Sequence, residues 1–323
     1  MNSDREAGVA TATAHPNLAL IKYWGKADTE HNLPATSSLG ITLKELNSFV
    51  HVETDVGHDS IELEGHYQMP ERYAPFLDEA RRLCSTQSGF RITAHNDFPT
   101  AAGLASSSSG FAALAKACAE ACGVYLCDAQ LSALARLGSA SAARSVFGGF
   151  VVLPAGSGHA EQLMPPDAWP DLRVVVGLVT SSAKLTSSRE AMERVRLTSP
   201  NYGRWVQEST EMFQTAVDAV HSQDLDQLGT VMLRSYQRMF ETMASAVPPI
   251  HYSLPDTDRL LRAVKELRGC GVSAWETMDA GPQVKVLCTE GDVGKVVASL
   301  QDACPKGLSP IVSAIGLGVH LRD

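Results

Sequence analysis

Four short stretches concentrate side chains suited to chemistry on an anionic ligand. In Pro99-Thr-Ala-Ala-Gly-Leu-Ala-Ser-Ser-Ser-Ser-Gly110 a predicted strand leads through a loop of small residues into a helix. Small residues let the backbone come close to a ligand. The unpaired N–H groups of a first helical turn, at the positive end of the helix dipole, bind phosphate and other anions. The successive hydroxyls of Ser106, Ser107, Ser108 and Ser109 add donors or a hold on Mg²⁺. The Gly-Lys-Ser/Thr ending of a Walker loop is absent. A solvated Ser-rich linker has a similar composition, but linkers do not ordinarily open straight into a patterned helix.

The second stretch, Asn17-Leu-Ala-Leu-Ile-Lys-Tyr-Trp-Gly-Lys26, runs an apolar strand into Lys22, Tyr23 and Lys26. Two ammonium groups and a phenol so close together suit a phosphorylated ligand, though ordinary surface lysines give the same pattern. The third, Gly138-Ser-Ala-Ser-Ala-Ala-Arg-Ser-Val-Phe-Gly-Gly149, sets Ser141 and Arg144 three residues apart, on one face of a helix. Arg144 there could grip a carboxylate or phosphate with two parallel bonds, or lie at the surface of a helix packed by small residues. In the fourth, Met278-Asp-Ala-Gly-Pro-Gln-Val-Lys285, Asp279 precedes a Gly-Pro turn that feeds a strand. It suits a proton acceptor at a strand edge or a plain Asx turn, and spacing does not choose between them.

The elements that position these residues follow from apolar periodicity. Residues 9–56 read as strand-rich, with Ile41–Leu43 and Phe49–Glu53 as strands. Glu71–Cys84 is a predicted amphipathic helix, and Phe90–Ala94 a short strand. The helix after the Ser loop has Phe111, Leu114, Cys118, Ala121 and Tyr125 as its expected buried stripe. A second helix is predicted from Asp128 as N-cap, with Leu131, Leu134 and Ala135 inward, as far as Gly148-Gly149. Phe150–Leu153 and Leu172–Val179 follow as apolar strands. Residues 202–247 are predicted mostly helical, with Leu225, Leu228, Met232, Ser235, Met239 and Met243 at helical spacing and the Met residues as core filling. Beyond them come a helix over Asp258–Leu267, a strand over Val284–Cys288, a helix over Asp292–Ala303 and an extended segment over Ser309–Leu321. Strands and helices segregate rather than alternate, so the expected class is α+β. Lobes of 1–180 and 181–323 are expected.

Bulk properties narrow the function class. A chain of 323 residues can build two lobes around a cleft, and 44% hydrophobic with 20% charged residues is ordinary for a soluble globular protein. The net charge of -9 argues against nucleic acid or an anionic membrane surface as main partner. The first residues lack an apolar run behind a basic stretch, so no secretory signal is expected. Seven scattered Cys, with no supporting His or Cys pair, read as small core residues in a reducing cytoplasm.

Taken together, Lys22-Tyr-Trp-Gly-Lys26, Phe98-Pro-Thr-Ala-Ala-Gly-Leu-Ala-Ser-Ser107, Gly138-Ser-x-Ser-Ala-x-Arg-Ser145, Lys184-x-x-Ser-Ser188, Thr198-Ser199 and Met278-Asp-Ala-Gly-Pro282 resemble the mevalonate diphosphate decarboxylases of the GHMP small-molecule kinase superfamily in order and spacing. The resemblance runs from about residue 10 to the C-terminus. It implies a GHMP-kinase-like two-lobed fold with a deep active-site cleft, ATP as co-substrate with Mg²⁺, and a cytoplasmic homodimer. It also implies roles. Gly103, Leu104, Ala105 and Ser106 to Ser109 would cradle the ATP phosphates, with Ser107 a ligand of Mg²⁺, and Lys184 would reach ATP from a mobile loop. Tyr23, Lys26, Ser139, Ser141, Arg144, Ser187 and Ser188 would hold mevalonate 5-diphosphate, with Arg144 near its carboxylate. Asp279 would face the C3 hydroxyl, supported by Lys22.

The sequence departs from the family pattern at Arg136-Leu-Gly-Ser-Ala-Ser-Ala-Ala-Arg144, at Ser187-Ser-Arg-Glu-Ala-Met192 and at Met239-Phe-Glu241. These changes bear on pocket shape rather than on the reacting groups. They leave relatives acting on mevalonate 5-phosphate, as decarboxylase or as a mevalonate 3-kinase type, as the alternatives.

Overall fold

Hydrophobic patterning sorts the first strands into two sheets. In Ser48–Val56 the residues Ser48, Val50, Val52 and Thr54 are buried while their neighbours are partly exposed, the period of a strand with one face on a core. Asn17–Ile21, Ser38–Thr42 and Phe150–Leu153 are instead buried at every position, so both faces must be covered. The structure, a computed structural model, describes residues 8–98, 105–180, 186–305 and 308–322.

The one-faced strands form a six-stranded sheet in the order His320–Leu321, Val9–Ala14, Ser48–Val56, Gly89–Asn96, Ser60–Leu63 and His66–Gln68. Against it pack helices α1 (Ala74–Cys84), α2 (Ser106–Ala121) and α3 (Asp128–Gly138), around Phe76, Phe90, Ala113 and Leu134. The three doubly buried strands join the more exposed Glu161–Met164 in a four-stranded sheet, in the order Glu161–Met164, Phe150–Leu153, Ser38–Thr42 and Asn17–Ile21, flanked by the short α4 (Ala142–Ser145). A second lobe carries α5 (Ser188–Thr198), α6 (Tyr202–Ser222), α7 (Leu225–Ala244), α8 (Pro255–Gly269) and α9 (Val293–Ala303). Its sheet runs Trp275–Met278, Val284–Thr289, Leu172–Gly177 and Ile311–Ser313, with α8 and α9 on one face.

The lobes share a core. Leu18, Ile21 and Ile41 of the first lobe lie in one cluster with Trp205 and Met212 of α6 and Met232 and Met239 of α7. The Met stripe is therefore core filling, as its spacing implies. The C-terminal strand returns to pair with Val9–Ala14, and Leu43 bridges Ile315.

Several boundaries differ from expectation. The helix after the Ser loop stops at Ala121, and Tyr125 is 86% exposed rather than part of the buried stripe. Cys127 is the N-cap of α3, and Asp128 is its first residue. The predicted helix over 128–147 breaks into α3 and α4, because Ser139 takes an extended conformation after Gly138. Gly138 sits so close to the ring of Phe111 that an added Cβ would lie 2.1 Å from it. The helical region over 202–247 breaks at Gln223, whose left-handed φ of 54° closes α6, before Asp224 caps α7 through a bond from Gln227 N.

Candidate active site

The site is built where the two lobes touch. The strand Asn17–Ile21 delivers Lys22 into the interior, where Ser235 Oγ of α7 accepts a 2.9 Å bond from Lys22 N. Lys22 Nζ donates to Ala19 O at 2.6 Å and to Asp279 Oδ1 at 2.7 Å. Asp279 stands just past the strand Trp275–Met278, where its carbonyl accepts Gly281 N in the Asp-Ala-Gly turn. From the neighbouring strand, Lys285 places Nζ 3.2 Å from Asp279 Oδ2. Both lysine side chains are 2% exposed, whereas that of Asp279 keeps 25%. The carboxylate is the member of this trio that faces outward.

The charges set the protonation states. Burial alone would raise the Asp279 pKa, but the Lys22 and Lys285 ammonium groups hold it well below the usual carboxylate range. Burial lowers Lys22 to about 8; Asp279 opposes that shift, and Lys285 and Arg144 add to it.

Arg144 projects from α4 into the four-stranded sheet, and Gly40 makes the room, since a Cβ there would lie 2.9 Å from Nε. Nε donates to Asn17 Oδ1 at 2.9 Å and Nη1 to Ser38 Oγ at 2.6 Å. Asn17 in turn donates to Ser141 O and Ser145 Oγ, so the loop that follows α3 is tied to the Lys22 strand. Burial lowers Arg144 to about 10, which leaves it cationic at neutral pH. The fixed Nε and Nη1 orient the guanidinium plane, and Nη2 together with the second N–H of Nη1 carries the remaining donors.

Tyr23 follows Lys22. Its Oη is buried without a hydrogen-bond partner, and burial raises its pKa, so it stays a neutral hydroxyl. A buried orphan hydroxyl needs an explanation, and a bound ligand supplies one. Ser139 and Ser141 lie side by side, Oγ to Oγ at 3.2 Å. Lys26 reaches a cavity of about 300 Å³ whose lining includes Asn32, Gly138, Arg189 and Glu193. Asn32 accepts a bond from Lys26 Nζ and donates to the carbonyls of Arg136 and Leu137 at the end of α3.

The expected residues are not all placed alike. Asp279, Lys22 and Arg144 form one electrostatic cluster with Tyr23 beside it, and Lys26 lines a cavity to which none of these four contributes. The Ser187 hydroxyl is engaged as the N-cap of α5, accepting Glu190 N at 3.2 Å, and Ser188 opens that helix. Ala105 enters α2 with a left-handed φ of 59°, and no side chain caps the helix. Its first turn leaves Ser106 half-buried and Ser107 exposed. The Ser108 hydroxyl instead donates to Ala105 O, and Ser109 Oγ lies 2.7 Å from Ser48 Oγ. Those two are turned inward, so any contact they make to phosphate runs through backbone. Gly103, Leu104 and Lys184 lie outside the described residues. Among the described residues no cluster of three His, Cys, Asp or Glu could hold a metal.

The structure also brings in residues that sequence reasoning left unassigned: Asn17, Asn32, Arg189 and Lys285. A signal existed for the last. Lys285 is the lone charge in the apolar run Val284-Lys-Val-Leu-Cys288, where a buried strand would otherwise carry Val or Leu.

Comparison with known proteins decides the family. Residues 14–164 match the model of the diphosphomevalonate decarboxylase-like N-terminal domain, and residues 174–313 that of the mevalonate 5-diphosphate decarboxylase C-terminal domain. The chain belongs to the diphosphomevalonate decarboxylase family. It is 32% identical to the human diphosphomevalonate decarboxylase, over 99% of this chain and 86% of that one. The mevalonate diphosphate decarboxylase of Staphylococcus aureus superposes with a TM-score of 0.92 at 32% identity, covering 98% of this chain and 99% of that one. MDDEF, solved in complex with MVAPP, AMPPCP and magnesium, matches at a TM-score of 0.91 and 35% identity over 98% of this chain and all of that one. The two-lobed α+β fold expected from the GHMP-kinase likeness is thus the fold of this decarboxylase family member.

Proposed function

We propose that the chain catalyses the ATP-dependent decarboxylation of mevalonate 5-diphosphate to isopentenyl diphosphate, a step of isoprenoid biosynthesis. One observation carries the reading: Asp279 is clamped by two buried ammonium groups and still keeps an edge open to a ligand.

The substrate poses two problems. A tertiary C3 hydroxyl is a weak nucleophile, and hydroxide is a poor leaving group. Bound ATP with Mg²⁺ supplies the phosphoryl group and offsets its charge; the rest falls to the chain. Asp279 accepts the C3 hydroxyl's hydrogen bond, aims its oxygen at the γ-phosphorus, and takes the proton late, as the new O–P bond forms and the bond to ADP breaks. As a weak base it suits a loose phosphoryl transfer, in which positioning matters more than early proton removal. When the C3–O bond breaks, phosphate leaves with its electron pair and positive charge develops at C3. The bond from C2 to the carboxylate then breaks, CO₂ departs, and that electron pair closes the alkene. Arg144 holds the carboxylate in line until it leaves, while Tyr23, Ser139 and Ser141 offer hydroxyls to the substrate. The uncapped first turn of α2, with Ser106 and Ser107, suits the nucleotide phosphates.

Lys26, Arg72 and Arg189 line one cavity together with Glu30 and Glu193; three cations against two carboxylates suit a phosphate-bearing ligand, and more than one cation favours the diphosphate over mevalonate 5-phosphate. For the lobes, the pairing of Leu172–Gly177 on both edges with strands of the second lobe moves the division we propose from 180 back to the segment 165–171. Cytoplasmic location and a homodimer are carried into this proposal by the family likeness; no described helix is long and apolar enough to cross a membrane. The test is stoichiometry: ADP, phosphate, CO₂ and isopentenyl diphosphate should appear in equal amounts. ADP without CO₂ would make the chain a 3-kinase instead.

A further inference from the structure

We propose that Lys285 is a positioning residue of the reaction: it holds Asp279 Oδ2 while Lys22 holds Oδ1, so that the carboxylate turns one fixed edge toward the reacting hydroxyl. The inference rests on the decarboxylase reading above, and it adds a second, separately testable arm to the clamp.

The first argument is position. Residues 284–288 are buried without exception, and Thr277, the cross-strand partner of Lys285, is 0% exposed. An ammonium group in such a strand is costly unless its charge is met. The Lys285 stem fills core volume and its head reaches across to Asp279 at 3.2 Å.

The second argument is charge. Lys22 alone would neutralise Asp279. With Lys285 and Arg144 present, three cations face one anion among the described residues, and each cation is at most 2% exposed. A fold selected only for stability has no use for the surplus. A site through which a phosphoryl group and a carboxylate must pass does, because its ligands bring the missing negative charge.

The third argument is orientation. A carboxylate bonded at one oxygen can swing about its Cβ–Cγ bond, whereas one held at both oxygens cannot. The bonds come from two different elements, the end of the strand Asn17–Ile21 and the strand Val284–Thr289. The groups facing Asp279 are Lys22, Lys285 and, farther off, Arg144 of α4; on the Lys22 side α7 contributes the uncharged Ser235.

This arrangement predicts a signature that a merely structural lysine would not leave. Lys285 helps to hold Asp279 ionised and repels the proton on Lys22. Its removal therefore raises both titrations. The test compares the pH dependence of kcat, at saturating ATP and mevalonate 5-diphosphate, for wild type, Lys285→Met, Lys285→Gln and Lys285→Arg. Lys285→Gln keeps length and polarity should the methionine variant fold poorly. A carbon-13 lysine NMR titration of Lys22 in the ligand-free full chain runs beside it. In the Met and Gln variants the acidic limb should move up by roughly one to three pH units, the effect of a close cation on a carboxylate. The Lys22 midpoint should rise above that of wild type, because a nearby cation that lowers it is gone. Lys285→Arg should return both toward wild type. A loss of kcat by the same factor at every pH, or an unmoved Lys22 midpoint, would overturn the proposal. Wild-type protein that releases neither ADP nor CO₂ would instead overturn the decarboxylase reading, and the NMR titration would still decide the clamp.

Discussion

Lys22 Nζ meets Asp279 Oδ1 at 2.7 Å although 257 residues separate them in the chain. Each belongs to a different lobe, so this ion pair is set only when the lobes share their core. Trp205 Nε1 of α6 reinforces the arrangement by donating to Trp24 O at 2.9 Å, two residues beyond Lys22. Gly25, at φ 107° against the Tyr202 hydroxyl, turns the chain there toward Lys26.

Asp279→Asn keeps shape but loses the negative charge that two buried ammonium groups face. Turnover should fall by about 10²-fold or more, the scale of a positioned acid–base group. ADP and CO₂ should fall together, because the C3 phosphate must form before CO₂ can leave. Leaving the cations unmet should also destabilise the fold, by on the order of 3 kcal/mol. Single-turnover time courses and urea unfolding on the same preparation check both. ADP formed at the wild-type rate without CO₂ would place Asp279 in the second step.

Arg144→Lys preserves charge but not the planar fork that bonds Asn17 and Ser38. The expected outcome is a loss of kcat of at least about tenfold, since a charge-assisted bond is worth roughly 1.5–3 kcal/mol. Steady-state kinetics read it directly. Full activity would mean that Arg144 serves only to pack α4.

Lys26→Ala should raise KM for mevalonate 5-diphosphate by about one to two decades, as one charge-assisted contact is lost. It should change kcat far less, because Lys26 lies in the cavity with Arg189 rather than among the reacting groups. Parallel titrations with the 5-phosphate should show a smaller effect.

The serines of α2 should divide. Ser109→Ala removes a buried hydroxyl beside Ser48 and should destabilise the protein by about 1 kcal/mol. Ser107→Ala, at an exposed first-turn position, should leave stability unchanged and weaken ATP-dependent turnover. Thermal melts and ATP titrations of both variants check the division. Equal behaviour would contradict the phosphate-cradle assignment.

The legible part of this protein was its chemistry-bearing motifs and the long periodic elements. Spacing alone leaves Arg144 and Asp279 open to plain structural readings, and the family resemblance of their motifs singles them out; the Met-rich stripe marks α7 by its period. What periodicity could not show was where helices break. Ser139 turns extended after Gly138 and Gln223 turns left-handed before the Asp224 cap, and neither shows as a change in hydropathy. Nor could it show which hydroxyls turn inward: Ser108 and Ser109 share composition with Ser107 and differ only in helical phase. Asn17 and Asn32 acquire their roles through partners more than 100 residues away, and spacing along the chain carries no such information; Lys285 follows Asp279 in the same motif and is marked only as a lone charge in an apolar run.

The most direct measurement is a parallel assay of ADP and CO₂ release with mevalonate, its 5-phosphate and its 5-diphosphate, each with ATP and Mg²⁺. The geometry of Asp279, Lys22, Arg144 and the Lys26 cavity predicts equal ADP and CO₂ from the 5-diphosphate, at a kcat/KM well above that for the other two. A higher kcat/KM with the 5-phosphate, or ADP release with no CO₂ from any of the three, would contradict it.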